Sequence, residues 1–161
     1  MYKSLLTLAI LGLLIMFTSA YYTAPADSRI GYKAPALVLD NNNGLSPLQQ
    51  HRDGNVLLTF WCSTDVESRL SNKRYDRLSR SDKGHFTHVS VNLDRSNAVF
   101  KSVVEIDDLD RTTQFCTSVK AQEAIIKSWR LEDGYHSFLL NPQGQIIAID
   151  PSEQQLASLE G

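Results

Sequence analysis

The chain has 161 residues, 42% of them hydrophobic and 21% charged, with a formal net charge of −2. That is enough apolar material for one globular core, and too balanced a charge for a disordered chain. Acidic residues slightly outnumber basic ones, which excludes a basic nucleic-acid footprint.

At the N-terminus, Lys3 precedes the almost wholly apolar run Leu5 to Phe17, and Thr18-Ser19-Ala20 follows. A basic start, an apolar run and small residues at the cleavage positions predict a secretory signal peptide over residues 1–20, cut after Ala20. No charge intervenes between Lys3 and Asp27, so the same stretch also suits an uncleaved membrane anchor of about 20 residues. Both readings export the rest of the chain, as a periplasmic protein or one anchored in the inner membrane facing the periplasm. The N-terminal segment is its only expected membrane contact.

Residues 21–36 contain Pro25, Gly31 and Pro35 and read as a linker, leaving 37–161 as the globular domain. Leu37-Val38-Leu39 predicts a short strand, closed by the turn-rich run Asp40 to Gly44. The continuous apolar run Asn55 to Trp61 predicts a strand buried on both faces. A helix follows, with Thr64 and Glu67 as a capping box and Asp65 adding negative charge to the first turn. Its apolar positions are Val66, Leu70, Tyr75 and Leu78, and it is expected to end near Lys83-Gly84.

Phe86 to Leu93 predicts a second strand and Ser96 to Ile106 a second helix. The segment around Phe115 is irregular or a very short strand, and Val119 to Leu131 a third helix. Tyr135 to Leu140 and Gln145 to Ile149 flank Asn141-Pro142-Gln143-Gly144, whose proline and glycine suit a type I turn and a hairpin. Asp150 as cap and Pro151 as first residue open a terminal helix. A β-α-β unit followed by a hairpin and helix predicts an α/β fold, a mixed central sheet with helices on both faces.

Two cysteines, Cys62 and Cys116, are too few for a disulfide framework or a four-thiolate zinc site. They allow one disulfide, one redox pair, or two separate thiols, and neither stands at a predicted helix N-terminus that would activate it. The histidines His51, His85, His88 and His136 show no metal-ligand spacing, so neither a metal nor another cofactor is expected. Three residues apart, His85 and His88 face opposite sides of a regular strand. Asp65 and Glu67 do not converge on a helix, which leaves capping as their role. The same helix carries Arg69, Lys73, Arg74, Arg77, Arg80 and Lys83, offset by Asp76 and Asp82. This reads as a solvated face, with contact to an acidic partner or a lipid headgroup as the functional alternative. The chain has no Gly-rich phosphate loop and no Gly-x-Ser-x-Gly elbow.

Gly31-Tyr32-Lys33-Ala34-Pro35, the strand Asn55 to Trp61 ending in Phe-Trp, and the closing run Phe138 to Asp150 stand in an order that resembles the thioredoxin-like superfamily. The branch resembled is that of envelope thiol-disulfide reductases and peroxiredoxin-like proteins. The resemblance covers about residues 30–160 and implies a three-layer α/β/α sandwich. In that family Phe-Trp is followed by two small residues and then Trp-Cys-x-x-Cys. Aligned without a gap, Asp65 falls on the attacking cysteine, Ser68 on the resolving cysteine and Arg69 on the basic residue that often follows. Cys62 then takes a small-residue position at the strand end.

A carboxylate satisfies the helix end where the attacking thiol would sit, but it forms no disulfide, and serine is equally inert. A gapped alignment makes Cys62 the attacker, at the expense of three residues between strand and helix and of the Arg69 match. Tyr135 falls where the family has a cis-proline. A cis bond before tyrosine costs about 3 kcal/mol, so a trans bond is expected there. The resemblance therefore implies an exported, non-catalytic binding or scaffold module, its partner another envelope protein. The alternative is a thiol-disulfide oxidoreductase using Cys62 with Cys116 as resolving cysteine. A thiol peroxidase ranks below it, because no Pro-rich loop precedes Cys62.

Overall fold

The computed structural model describes residues 26–37, 39, 48, 54–81 and 85–159. The predicted signal or anchor segment, His51 and the turn from Asp40 to Gly44 lie outside them. Strand β1, Val56–Trp61, is buried along its whole length. It pairs in parallel with β2, Thr87–Asn92, and antiparallel with β4, Ser137–Leu140. The short β3, Gln114–Cys116, runs parallel beside β2, and β5, Ile146–Ile149, antiparallel beside β4. The sheet order is β3-β2-β1-β4-β5, the mixed sheet that the element order predicts.

Helices α1 (Val66–Ser79), α2 (Asn97–Ile106), α3 (Val119–Trp129) and α4 (Glu153–Ala157) cover both faces. Alternation along β1 assigns them. Val56, Leu58 and Phe60 pack with Ile125 and Trp129 of α3 on one face. On the other, Leu57 meets Tyr75 of α1 and Leu156 of α4, while Trp61 meets Phe100, Val103 and Val104 of α2. The rings of Phe60, Trp129 and Phe138 pack mutually, with centroids 5.0–6.0 Å apart. The hairpin turn closes as read, with Gly144 N donating to Asn141 O at 2.8 Å.

Helix α1 departs from its expected form in three ways. Its cap is Asp65, not the pair Thr64 and Glu67: Asp65 is extended, and its carboxylate accepts from Ser68 N at 2.8 Å. It ends at Ser79 rather than near Gly84. Of its expected apolar positions only Tyr75 and Leu78 pack inward; Ser68, Asn72 and Asp76 are buried while Val66 and Leu70 are 69% and 57% exposed.

The sheet beneath explains this, because it presents Thr59, His88, Ser90, Gln114 and Ser137, all buried. Buried polar groups need partners; α1 supplies them to Ser90 and Gln114, while Thr59 bonds both His88 and Ser137. Ser90 Oγ donates to Asn72 Oδ1 at 2.7 Å, and Asn72 Nδ2 donates to Gln114 Oε1 at 3.1 Å. Asp76 Oδ1 accepts from Asp110 N at 3.0 Å, and its Oδ2 from Arg80 at 2.6 Å. Arg69 reaches the C-terminus of α2, donating from Nε and Nη2 to the two carboxylate oxygens of Asp107 at 2.6 and 3.0 Å.

Other boundaries shift as well. The terminal helix is capped by Ser152, in a reciprocal capping box with Gln155, rather than by Asp150. Asp150 takes a left-handed conformation (φ 47°), which turns its carboxylate back towards β4. Residues 26–34, read as part of a linker, lie along the outer edge of β5. There Gly31 N donates to Ile146 O and Ile146 N to Tyr32 O, at 2.8 and 2.9 Å. Gly31 holds φ 87°, a conformation open to glycine. Leu37 and Leu39 are buried in the core without forming a strand, since they make no sheet pairing.

Candidate functional site

The chain leaves β1 at Trp61, turns through Cys62-Ser63-Thr64 and enters α1 at Asp65, with Asp65 N donating to Cys62 O at 3.1 Å. This tight exit from a buried parallel strand into a helix N-terminus brings the candidate residues together. Asp65 is the helix cap, and Ser68, at its third helical position, is buried. Ser68 Oγ lies 3.3 Å from Cys62 N, which donates to it. One cap thus ties together Cys62, Asp65 and Ser68.

Asp94, just beyond the end of β2, completes the cluster. Its Oδ1 accepts from Cys62 Sγ and from Ser63 N, both at 2.9 Å, and its Oδ2 from Asn92 Nδ2 at 3.0 Å and from Ser63 Oγ. Its own backbone is held by Asn92 and by Gln122 of α3. Burial alone pushes the Asp94 carboxyl up. The hydrogen bonds from Cys62, Ser63 and Asn92 outweigh it and hold the group below the ordinary carboxylate range. Cys62 Sγ also lies 3.3 Å from Thr64 Oγ1.

Tyr135 precedes β4 and closes the same corner, and the peptide bond before it is trans. Its phenol is pushed up to about 12, first by burial and then by the neighbouring Cys62, Asp65 and Asp94. Next to it, His136 Nδ1 and Asp150 Oδ2 stand 2.6 Å apart in a half-exposed pair.

Cys116 is not part of this cluster. Trp61 pairs with Asn92 and Asn92 with Cys116, so two inter-strand spacings, about 10 Å, separate the end of β1 from Cys116. A disulfide needs Cα atoms within about 7 Å, and both thiols are free. Cys116 packs against Trp61 and α2, where burial and then Asp94 push its thiol up. Of the sequence candidates, Cys62, Asp65, Ser68 and Tyr135 therefore share one corner, and Cys116 stands outside it.

Asp94 was not among the candidates. It lies 32 residues from Cys62, follows no motif, and meets it only because β1 and β2 end together. His88 is buried in β2 beside Thr59 Oγ1, 3.1 Å from Nε2, and takes no part in the corner. Among the described residues, no group of three or more His, Cys, Asp or Glu side chains is placed to hold a metal. No helix among them is long and apolar enough to cross a membrane.

Comparison of the whole fold places it among known structures. A thioredoxin-like protein from Parabacteroides distasonis is 26% identical, with a TM-score of 0.69 over 83% of this chain and 96% of that one. The chain is thioredoxin-like. The thioredoxin domain of a thiol-disulfide oxidoreductase from Bacteroides vulgatus shares the fold at 22% identity, with a TM-score of 0.66 over 80% of this chain and 93% of that one. A thiol:disulfide interchange protein from a Bacteroides species does so at 22% identity, with a TM-score of 0.63 over 80% and 86%. No protein-family model matches the sequence, and no curated protein does. The thioredoxin-like architecture puts the corner formed by Cys62, Asp65, Ser68 and Tyr135 at the junction of the central strand and the first helix. Chemically, that corner offers one thiol, hydrogen-bonded to a carboxylate.

Proposed function

We propose that this thioredoxin-like chain is an exported module without disulfide-exchange chemistry, acting by binding a partner in the cell envelope. The observation that carries the reading is the identity of the helix cap. A thiol at Asp65 would sit at the positive end of α1, where thioredoxin-like chemistry places its attacking sulfur, and Ser68 one turn on would be the resolving position. Carboxylate and hydroxyl at those two places satisfy the helix end and transfer no electrons. Tyr135, in a trans linkage beside them, fills the edge along which a substrate chain would lie. The distance from Cys62 to Cys116 weighs against an oxidoreductase that pairs these two. Export rests on the sequence pattern of residues 1–20.

The double substitution Asp65→Cys/Ser68→Cys tests the assignment of the two positions. The variant is expected to form an internal disulfide and to reduce insulin with dithiothreitol as electron source, while the wild-type chain stays at the uncatalysed baseline. Wild-type reduction of insulin overturns the reading. Mass analysis of chain recovered from the envelope fraction, starting at Tyr21 or retaining Met1, separates a cleaved signal from an anchor.

A further inference from the structure

The outward stripe of α1 is Val66, Leu70, Arg74 and Arg77, at helical spacing over about 17 Å. Both apolar members stand in water although the helix has a buried side to offer them. The rotation is fixed from within, because Asn72 and Asp76 are bonded to Ser90, Gln114, Asp110 and Arg80. Turning Val66 and Leu70 inward would break that network and leave buried polar groups without partners, each at about 1–3 kcal/mol. Their exposure is therefore built into the fold.

Beside them, Leu70, Lys73, Arg74, Arg77 and Leu78 of α1, with Glu153 of α4, line an open cleft of about 490 Å³. Lys73 is engaged by Asp107 at 3.3 Å. Among the described residues, neither Arg74 nor Arg77 has a carboxylate within ion-pair distance. The surface thus offers exposed leucine and valine at one end and two guanidinium groups at the other, that of Arg74 lying 5.9 Å from the centre of the Tyr75 ring. Apolar cover gains from desolvation, and guanidinium groups bind carboxylates through paired hydrogen bonds. Two arginines outnumber Glu153 along the cleft, and a concave lining fits a narrow peptide segment better than a flat membrane surface.

We propose that the outer face of α1 docks an acidic, leucine-bearing segment of a partner protein. The proposal rests on the reading of the chain as a binding module. Its test measures peptide binding, whereas that reading is tested by disulfide reduction, so either can fail alone.

The experiment titrates the full chain into a fluorescein-labelled peptide of about twelve residues, long enough to match the stripe, with leucines in its first half and glutamates in its second. Saturable binding is expected, weakened by added salt and at least about tenfold weaker for Arg74→Glu/Arg77→Glu and for Leu70→Ser. Arg74→Lys/Arg77→Lys, which keeps the charge but not the paired hydrogen bonds, should bind between the wild type and the charge reversal. Matching circular dichroism of all variants checks that they fold, which the exposure of these positions favours. Peptides lacking either the leucines or the glutamates should also bind at least about tenfold more weakly.

Absence of binding, or binding indifferent to charge reversal, overturns the proposal. So does a stronger, Arg74- and Arg77-dependent attachment to phosphatidylglycerol vesicles. A self-association of the chain that Leu70→Ser abolishes overturns it as well, by making a second copy the occupant.

Discussion

The Cys62 thiol donates to Asp94 Oδ1 across 2.9 Å, and the same oxygen accepts from Ser63 N. Among the described residues, the one sulfur at the end of the central strand is thus tied to a carboxylate that also fixes the turn into α1. Replacing Asp94 with alanine leaves Ser63 N and Asn92 Nδ2 without their acceptor in a largely buried corner. Asp94→Ala is expected to lower unfolding stability by about 1–3 kcal/mol in urea titration. Asp94→Asn should fall between the two, because it keeps one acceptor oxygen.

The two cysteines should remain thiols. After air exposure without reductant, alkylation followed by intact-mass measurement should show two labelled cysteines per chain and no loss of two hydrogens. Cys116, whose thiol burial pushes up, should label more slowly at pH 8 than a cysteine in an unfolded peptide.

The cap assignment separates two adjacent residues. Asp65→Ala should cost about 1 kcal/mol of stability, as N-cap removal does, because Asp65 accepts from Ser68 N. Thr64→Ala removes no cap and should cost only a few tenths of a kcal/mol. Equal effects in denaturant titration would argue for Thr64 as the cap.

His88 makes stability depend on acidity. Burial holds its imidazole neutral, with its pKa lowered from 6.5 to about 3, against an opposing pull from Asp110. The folded value lies below the unfolded one, so the unfolded chain binds more protons between these limits. The stabilisation is complete above pH 6.5 and is lost as pH falls towards 3. The expected slope is about 1.4 kcal/mol per pH unit within that window. His88→Leu should remove this part of the acid dependence, read as a flatter profile of urea midpoints against pH.

The sheet was legible because its signals are local. The largely apolar run at β1, interrupted by Thr59, and the Asn-Pro-Gln-Gly turn each fix a strand or a reversal with little help from the rest of the chain. The orientation of α1 was not, because the usual rule turns apolar residues inward. Here Thr59, His88, Ser90 and Gln114, drawn from three strands, make the receiving surface polar, and only the assembled sheet reveals it.

Thr64 and Asp65 are both good caps by type. The choice between them depends on where the chain turns after Cys62. In the candidate site, Asp65, Ser68 and Tyr135 follow from the resemblance to the thioredoxin-like pattern, aligned on Phe60-Trp61 and on the hairpin. Asp94 had no such pattern, since its place beside Cys62 depends on two parallel strands ending level.

The most direct measurement is insulin reduction by the wild-type chain with dithiothreitol, run beside Cys62→Ser. The proposed function predicts precipitation at the rate of dithiothreitol alone for both proteins. Faster precipitation by the wild type, lost in Cys62→Ser, would contradict it and make Cys62 a working thiol.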